Sequence, residues 1–129
     1  MKDYAAMSDF EVNCHVARAL GEVFTVPPKG KPSPYLDVTD TTISLLNCDG
    51  TRVERVLVKD FCNNPADAWP IIVSNQISLM YEESTGKWCA GKPYWVDGCE
   101  WQLDIDVMEA NPLRAAMIVF LMMKESKND

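Results

Sequence analysis

The segment NPLRAAMIVFLMMKES, Asn111 to Ser126, constrains the fold more than any other part of the chain. Asn111 can cap a helix, and Pro112 suits the first helical position because its missing N–H would have no partner there anyway. Lys124 sits near the other end, where the helix dipole favours a cation. Between them Leu113, Ala116, Met117, Ile118, Val119, Phe120, Leu121 and Met123 make the helix apolar nearly all round. A helix of that kind is buried on more than one side or forms an oligomer interface, for which Leu113, Met117 and Leu121 are the candidate residues. Its longest apolar run, Ala115 to Met123, falls short of the roughly 18 residues that span a bilayer, so no membrane attachment is expected.

At 129 residues with 47% hydrophobic and 24% charged side chains, the expectation is one compact domain over residues 1–129. Twelve Lys and Arg face 19 Asp and Glu, a formal net charge of −7. That balance opposes general phosphate-backbone binding, so direct nucleic-acid binding is not expected, whereas basic partners are favoured. An acidic decoy that mimics nucleic acid is an alternative reading of the same charge. Five cysteines, Cys14, Cys48, Cys62, Cys89 and Cys99, show no C-x-x-C spacing and no secretory signal precedes them, which suggests free thiols in a reducing cytoplasm.

Along the chain, Ser8 and Glu11 form a capping box that starts a helix running to Leu20, with Gly21 as the stop. Thr25 to Tyr35 holds four prolines and reads as an extended surface loop. Strands are predicted over Thr42–Leu46 and Arg52–Val58 around the Asp49-Gly50 turn, then over Ile77–Tyr81, Lys87–Ala90 and Trp101–Ile105. The stretch CNNPADAWPII repeats the Asn-Pro helix start, with Asn64 as cap and Pro65 in the first turn. A second proline, Pro70, removes one helical hydrogen bond and predicts a kink at Trp69-Pro70. The predicted core holds Phe10, Leu20, Val56, Trp69, Ile72, Leu79, Met117, Phe120 and Leu121.

For chemistry the chain offers little. His15 stands beside Cys14 on one helix, where neighbouring residues point to different faces, so a local dyad is geometrically poor. Asp104 and Asp106 would share a strand face, but a hard cation needs six or more oxygens and no such loop is present. No catalytic set, metal or cofactor is expected. The most suggestive surface is the aromatic stretch KPYWVDG, with Lys92, Pro93, Tyr94, Trp95 and Asp97 as the candidate binding residues. Trp88 and Trp101 are expected to fill the core face of the flanking strands, while Cys89 and Cys99 are placed opposite each other.

The helix SDFEVNCHVARALG, the central CNNPADAWPII, the GKWCA segment and the terminal NPLRAAMIVFLMMKE, in that order, resemble small accessory proteins of tailed bacteriophages, in particular the NinX family. The resemblance implies a phage- or prophage-encoded protein of the host cytoplasm, with no catalytic residues to carry over. Related phage proteins look like an α/β/α sandwich. The fold expected is therefore α+β: a mainly antiparallel sheet of about four or five strands covered by three helices on both faces. The function expected is that of a non-enzymatic module binding a host or phage protein, with a homodimer through the last helix as one form of it. The alternatives are a nucleic-acid-related role, by mimicry or by stacking on the Trp/Tyr loop, and a small enzyme using His15, Cys62, Asp67 and Asp104.

Overall fold

In the computed structural model, the residues described are 3–21, 36–38, 42–46, 52–98 and 100–128, with side chains over 3–21, 58–98 and 100–126. The Pro-rich Thr25–Tyr35 and the turn at Asp49-Gly50 lie outside them, as does the side chain of Val56. The protein is α+β, with strands β1 (Leu36–Val38), β2 (Thr42–Leu46), β3 (Arg52–Leu57), β4 (Ser78–Glu82), β5 (Lys87–Val96) and β6 (Glu100–Glu109), and helices α1 (Asp9–Ala19), α2 (Pro65–Ser74) and α3 (Pro112–Asn128). A short 3-10 turn, Tyr4–Ala6, precedes α1.

The strands divide into two antiparallel three-stranded sheets, β1-β2-β3 and β4-β5-β6, instead of one sheet of four or five. The five predicted strands fall on β2 to β6, but β5 and β6 run longer than predicted and β1 is not foreseen; strand pairing is a long-range property that local composition does not carry. In β2–β3 the register sets Ile43 against Val56 and shifts between Leu45 and Leu46.

The helix starts follow their local chemistry. The Ser8 hydroxyl accepts from the Glu11 N–H at 3.2 Å and the Glu11 carboxylate accepts from the Ser8 N–H at 3.4 Å, closing the capping box. Asn64 caps α2 by accepting from the Ala66 N–H, and Asn111 caps α3 by accepting from the Leu113 N–H. Helix α2 continues through Pro70 to Ser74 as a single element; Pro70 lies on its exposed side.

Helix α3 lies against β4, β5 and β6, and α1 and α2 pack on α3. This central position accounts for its all-round apolar sequence: Ala115 through Leu121 are all buried. Met117 and Leu121 are thereby spent inside the chain, and Leu113 packs half-buried against the same core, so as folded they do not offer the dimer surface that the sequence suggested. The helices do not cover both faces of the β4–β6 sheet. Its inner face, with Leu79, Ala90, Ile105 and Val107, meets the core, while its outer face is open.

Two predicted core residues are on the surface: Trp69 is 59% exposed and Leu20 52%. Phe10 is half-buried. Helical spacing gives a stripe about α2, and it is Ala68, Ile71 and Ile72 that face inward; Trp69, between them in sequence, points out.

Candidate functional site

The β5–β6 hairpin is the most exposed apolar structure in the described chain. Residues 91–96, expected as a loop, are strand, and the pairing runs out to Val96 opposite Glu100. The turn that follows is made by Asp97 and Gly98, whose φ of +72° suits a residue without a Cβ. Pro93 is tolerated in this otherwise central strand because β4 begins at Ser78, opposite Gly91. Beyond Gly91, β5 is an edge on that side, and an edge accommodates a residue without an N–H.

Strand alternation then separates the predicted binding residues. Pro93 and Trp95 point to the outer face with their partners Leu103 and Trp101. Lys92 and Tyr94 point to the helix side. The Lys92 ammonium donates to the Asn75 carbonyl at the C-terminal end of α2, where the dipole favours it, and the Tyr94 hydroxyl donates to Gln102 Oε1 at 2.9 Å. Asp97 stays exposed in the turn. The five residues therefore do not converge on one surface.

What converges instead is a row of side chains that the sequence reading assigned elsewhere. Trp101, expected in the core, is 67% exposed and meets Trp95 edge-on with ring centroids 5.4 Å apart. Met80, Cys89 and Met108 are cross-strand partners on the same face. Met80, Pro93, Trp101 and Leu103 line a shallow pocket of about 370 Å³. Trp88, also expected in the core, is only half-buried and packs on the exposed Tyr81, ring centroids 5.2 Å apart. Cys89 stands opposite Met108, and Cys99 lies outside the described residues. No apolar/polar period of two marks this face in Lys87–Val96, where Gly91, Lys92 and Pro93 break the alternation.

A β-bulge interrupts the hairpin midway. Ala90 pairs with Val107 and Lys92 with Asp104, leaving Gly91 opposite both Ile105 and Asp106. Ile105 takes a φ of +53°, an unfavourable conformation for a β-branched residue. Gly91 permits the close approach, since a Cβ there would lie 2.9 Å from the Asp104 carbonyl oxygen and from the Leu103 Cβ. The bulge also overturns the shared face of the two carboxylates: Asp104 stands opposite Lys92, whereas Asp106 lies beside Gly91 on the outer side.

The polar cluster at the other end of the molecule is structural. Arg114, in the first turn of α3, donates to Glu109 Oε1 at 2.7 Å, to Asp9 Oδ1 at 2.8 Å and to the carbonyls of Tyr4, Ala5 and Met7. Burial works to lower its pKa, yet the hydrogen bonds with Glu109 and Asp9 outweigh it and hold the guanidinium charged. Asn13, itself buried, donates to Asp60 and accepts from the Cys62 N–H, and Asn111 donates to the Cys62 carbonyl at 2.7 Å. These bonds satisfy the α2 and α3 entry loops.

The thiols in this region are poor nucleophiles. Burial, with a contribution from the Asp9 carboxylate, pushes Cys62 up to about 12, and burial with Glu11 does the same to Cys14. His15 packs edge-on to the Tyr4 ring at 6.0 Å. We expect iodoacetamide at pH 8 to label Cys14 and Cys62 roughly 100-fold or more slowly in the native chain than in urea, as read by peptide mass spectrometry; equal rates would contradict this burial. Unfolded thiols ionise from their ordinary 9.0 while these remain protonated to about 12. Their contribution to stability is therefore complete below pH 9 and is lost as pH rises from there towards 12.

Fold and surface together define a small α+β domain with helices stacked on one side of an antiparallel sheet and an apolar sheet face turned to solvent. Among the described residues no group of three or more His, Cys, Asp or Glu is placed to hold a metal ion, and no helix is long and apolar enough to cross a membrane. The chain belongs to a bacteriophage family: the family model described as Bacteriophage P22, NinX matches residues 3–124. That membership makes it a phage accessory protein. No curated protein and no solved structure matches it.

Proposed function

We propose that this phage accessory protein is a non-enzymatic binding module that engages a host or phage protein in the host cytoplasm through the outer face of its β4–β6 sheet. The observation that carries the reading is the group Met80, Pro93, Trp95, Trp101 and Met108, exposed together on one face of a rigid, hydrogen-bonded sheet. Tryptophan on a contact surface supplies large binding area with little conformational entropy to lose. Fixed strands keep those rings in place before a partner arrives.

The experiment is in-cell crosslinking of the full chain during infection, with recovered proteins quantified against a Trp95→Ala/Trp101→Ala variant. Specific partners should fall at least about tenfold in the variant, while its urea midpoint stays close to the parent because both side chains are half or more exposed. An unchanged partner set would overturn the reading. Direct stacking on single-stranded nucleic acid is disfavoured by Asp97, Glu100, Asp104 and Asp106 along the same hairpin, which repel a phosphate backbone. Fluorescence anisotropy with a labelled oligonucleotide should accordingly show no saturable binding at physiological salt.

A further inference from the structure

The outer face of the β4–β6 sheet is apolar along most of its length, with Asp106 set into the middle and the Glu82–Lys87 pair at one end. At the other end lie Trp95 and Trp101, then Pro93 and Leu103, then the bulge, then Met80, Cys89 and Met108. Asp106 stands at the bulge between the two apolar groups, exposed and beside Gly91; burial raises the Cys89 thiol, and Asp106 is close enough to add to it. Among the described residues no cation stands beside it on that face. Lys92 is turned to the other side and held by the Asn75 carbonyl, and Lys87 lies at the far end of β5, opposite Glu82.

This arrangement restricts what can cover the face. Any occupant that buries the two apolar groups must also cover Asp106, and a carboxylate taken out of water without a partner is costly. A second copy of the chain brings another Asp106 and a net charge of −7 to meet the first, so self-pairing stacks like charge on like. A basic side chain on an apolar segment removes the cost and adds a charge-assisted hydrogen bond.

We propose that this face docks a protein segment carrying an apolar side chain that fills the pocket lined by Met80, Pro93, Trp101 and Leu103, together with a lysine or arginine that pairs with Asp106. This rests on the binding reading above and adds to it the chemistry of the partner. The aromatic end contributes to the same selectivity, because the faces of Trp95 and Trp101 attract a cation more than an anion. Charge repulsion at Asp106 in turn rejects acidic segments, which a plain apolar face would accept.

The test is selection of a displayed library of random 12-residue peptides on the immobilised full chain, with counter-selection on the Trp95→Ala/Trp101→Ala variant. Peptides retained should combine large apolar residues with at least one lysine or arginine. Their affinity should fall about tenfold on Asp106→Asn and stay unchanged on Asp67→Asn, which removes the same charge from α2. The fall should shrink as salt is raised. Peptides that depend on the tryptophans but are indifferent to Asp106→Asn overturn the pairing and leave the docking face standing. A selection that returns no tryptophan-dependent peptide overturns the docking face as well. A dimer seen by sedimentation that tightens on Asp106→Asn shows a second copy as the occupant and also overturns the proposal.

Discussion

Replacing Arg114 with methionine is expected to lower the unfolding free energy by about 3 kcal/mol, near the lower end for breaking a buried ion pair by removing one partner. The guanidinium side chain is 12% exposed and joins three separate parts of the chain: the Tyr4–Met7 turn, the start of α1 at Asp9 and the end of β6 at Glu109. Methionine keeps much of the volume and removes every donor, leaving Glu109 and the Met7 carbonyl without this partner and the Tyr4 carbonyl with the Met7 N–H alone. The lower end of the range applies because Asp9 is 44% exposed and recovers water. Lysine should restore only a minor part, since an ammonium cannot reach Glu109 and Asp9 as a fork does. Urea unfolding measures both variants; a methionine variant within 0.5 kcal/mol of the parent, a difference typical of neutral surface changes, would show that the cluster does not hold these elements together.

The second large effect is Phe120→Ala, expected to cost about 3–5 kcal/mol. Phe120 is 2% exposed in α3, among the largest fully buried side chains of the structure. Met117, three positions earlier on the same helix, cannot close onto the void without moving that helix. Trp69→Ala is the instructive contrast. Read as a core residue, Trp69 would carry a loss as large; at 59% exposure it should cost about 1 kcal/mol or less. Chemical unfolding of both variants decides between the two pictures, and a Trp69→Ala loss equal to that of Phe120→Ala would return the indole to the core.

These two tryptophan misplacements, Trp69 and Trp101, share a cause. Hydrophobicity places both in the core, but it records a preference for burial and not which side of an element a residue occupies. In α2 the inward stripe is filled by Ala68, Ile71 and Ile72, leaving no place for Trp69. In β6 the face taken by Trp101 depends on register with Trp95, and a single residue of slippage exchanges the two faces of the strand. The bulge at Gly91 introduces such a shift halfway along. Asp106 acquires its position in the middle of an apolar surface through that shift.

Helix starts were legible because they are local. Ser8 with Glu11, Asn64 with Pro65 and Asn111 with Pro112 satisfy orphan backbone donors within three residues of themselves, and the structure uses all three. The apolar composition of α3 likewise demanded a central place, which it occupies between the β4–β6 sheet and the other helices. What only the tertiary structure decided is the division of the strands into two sheets, the open outer face and the role of Arg114. Arg114 bonds Asp9 across 105 positions and Tyr4 across 110. Contacts over such separations arise from chain closure around the core, and no local pattern of residue types encodes them.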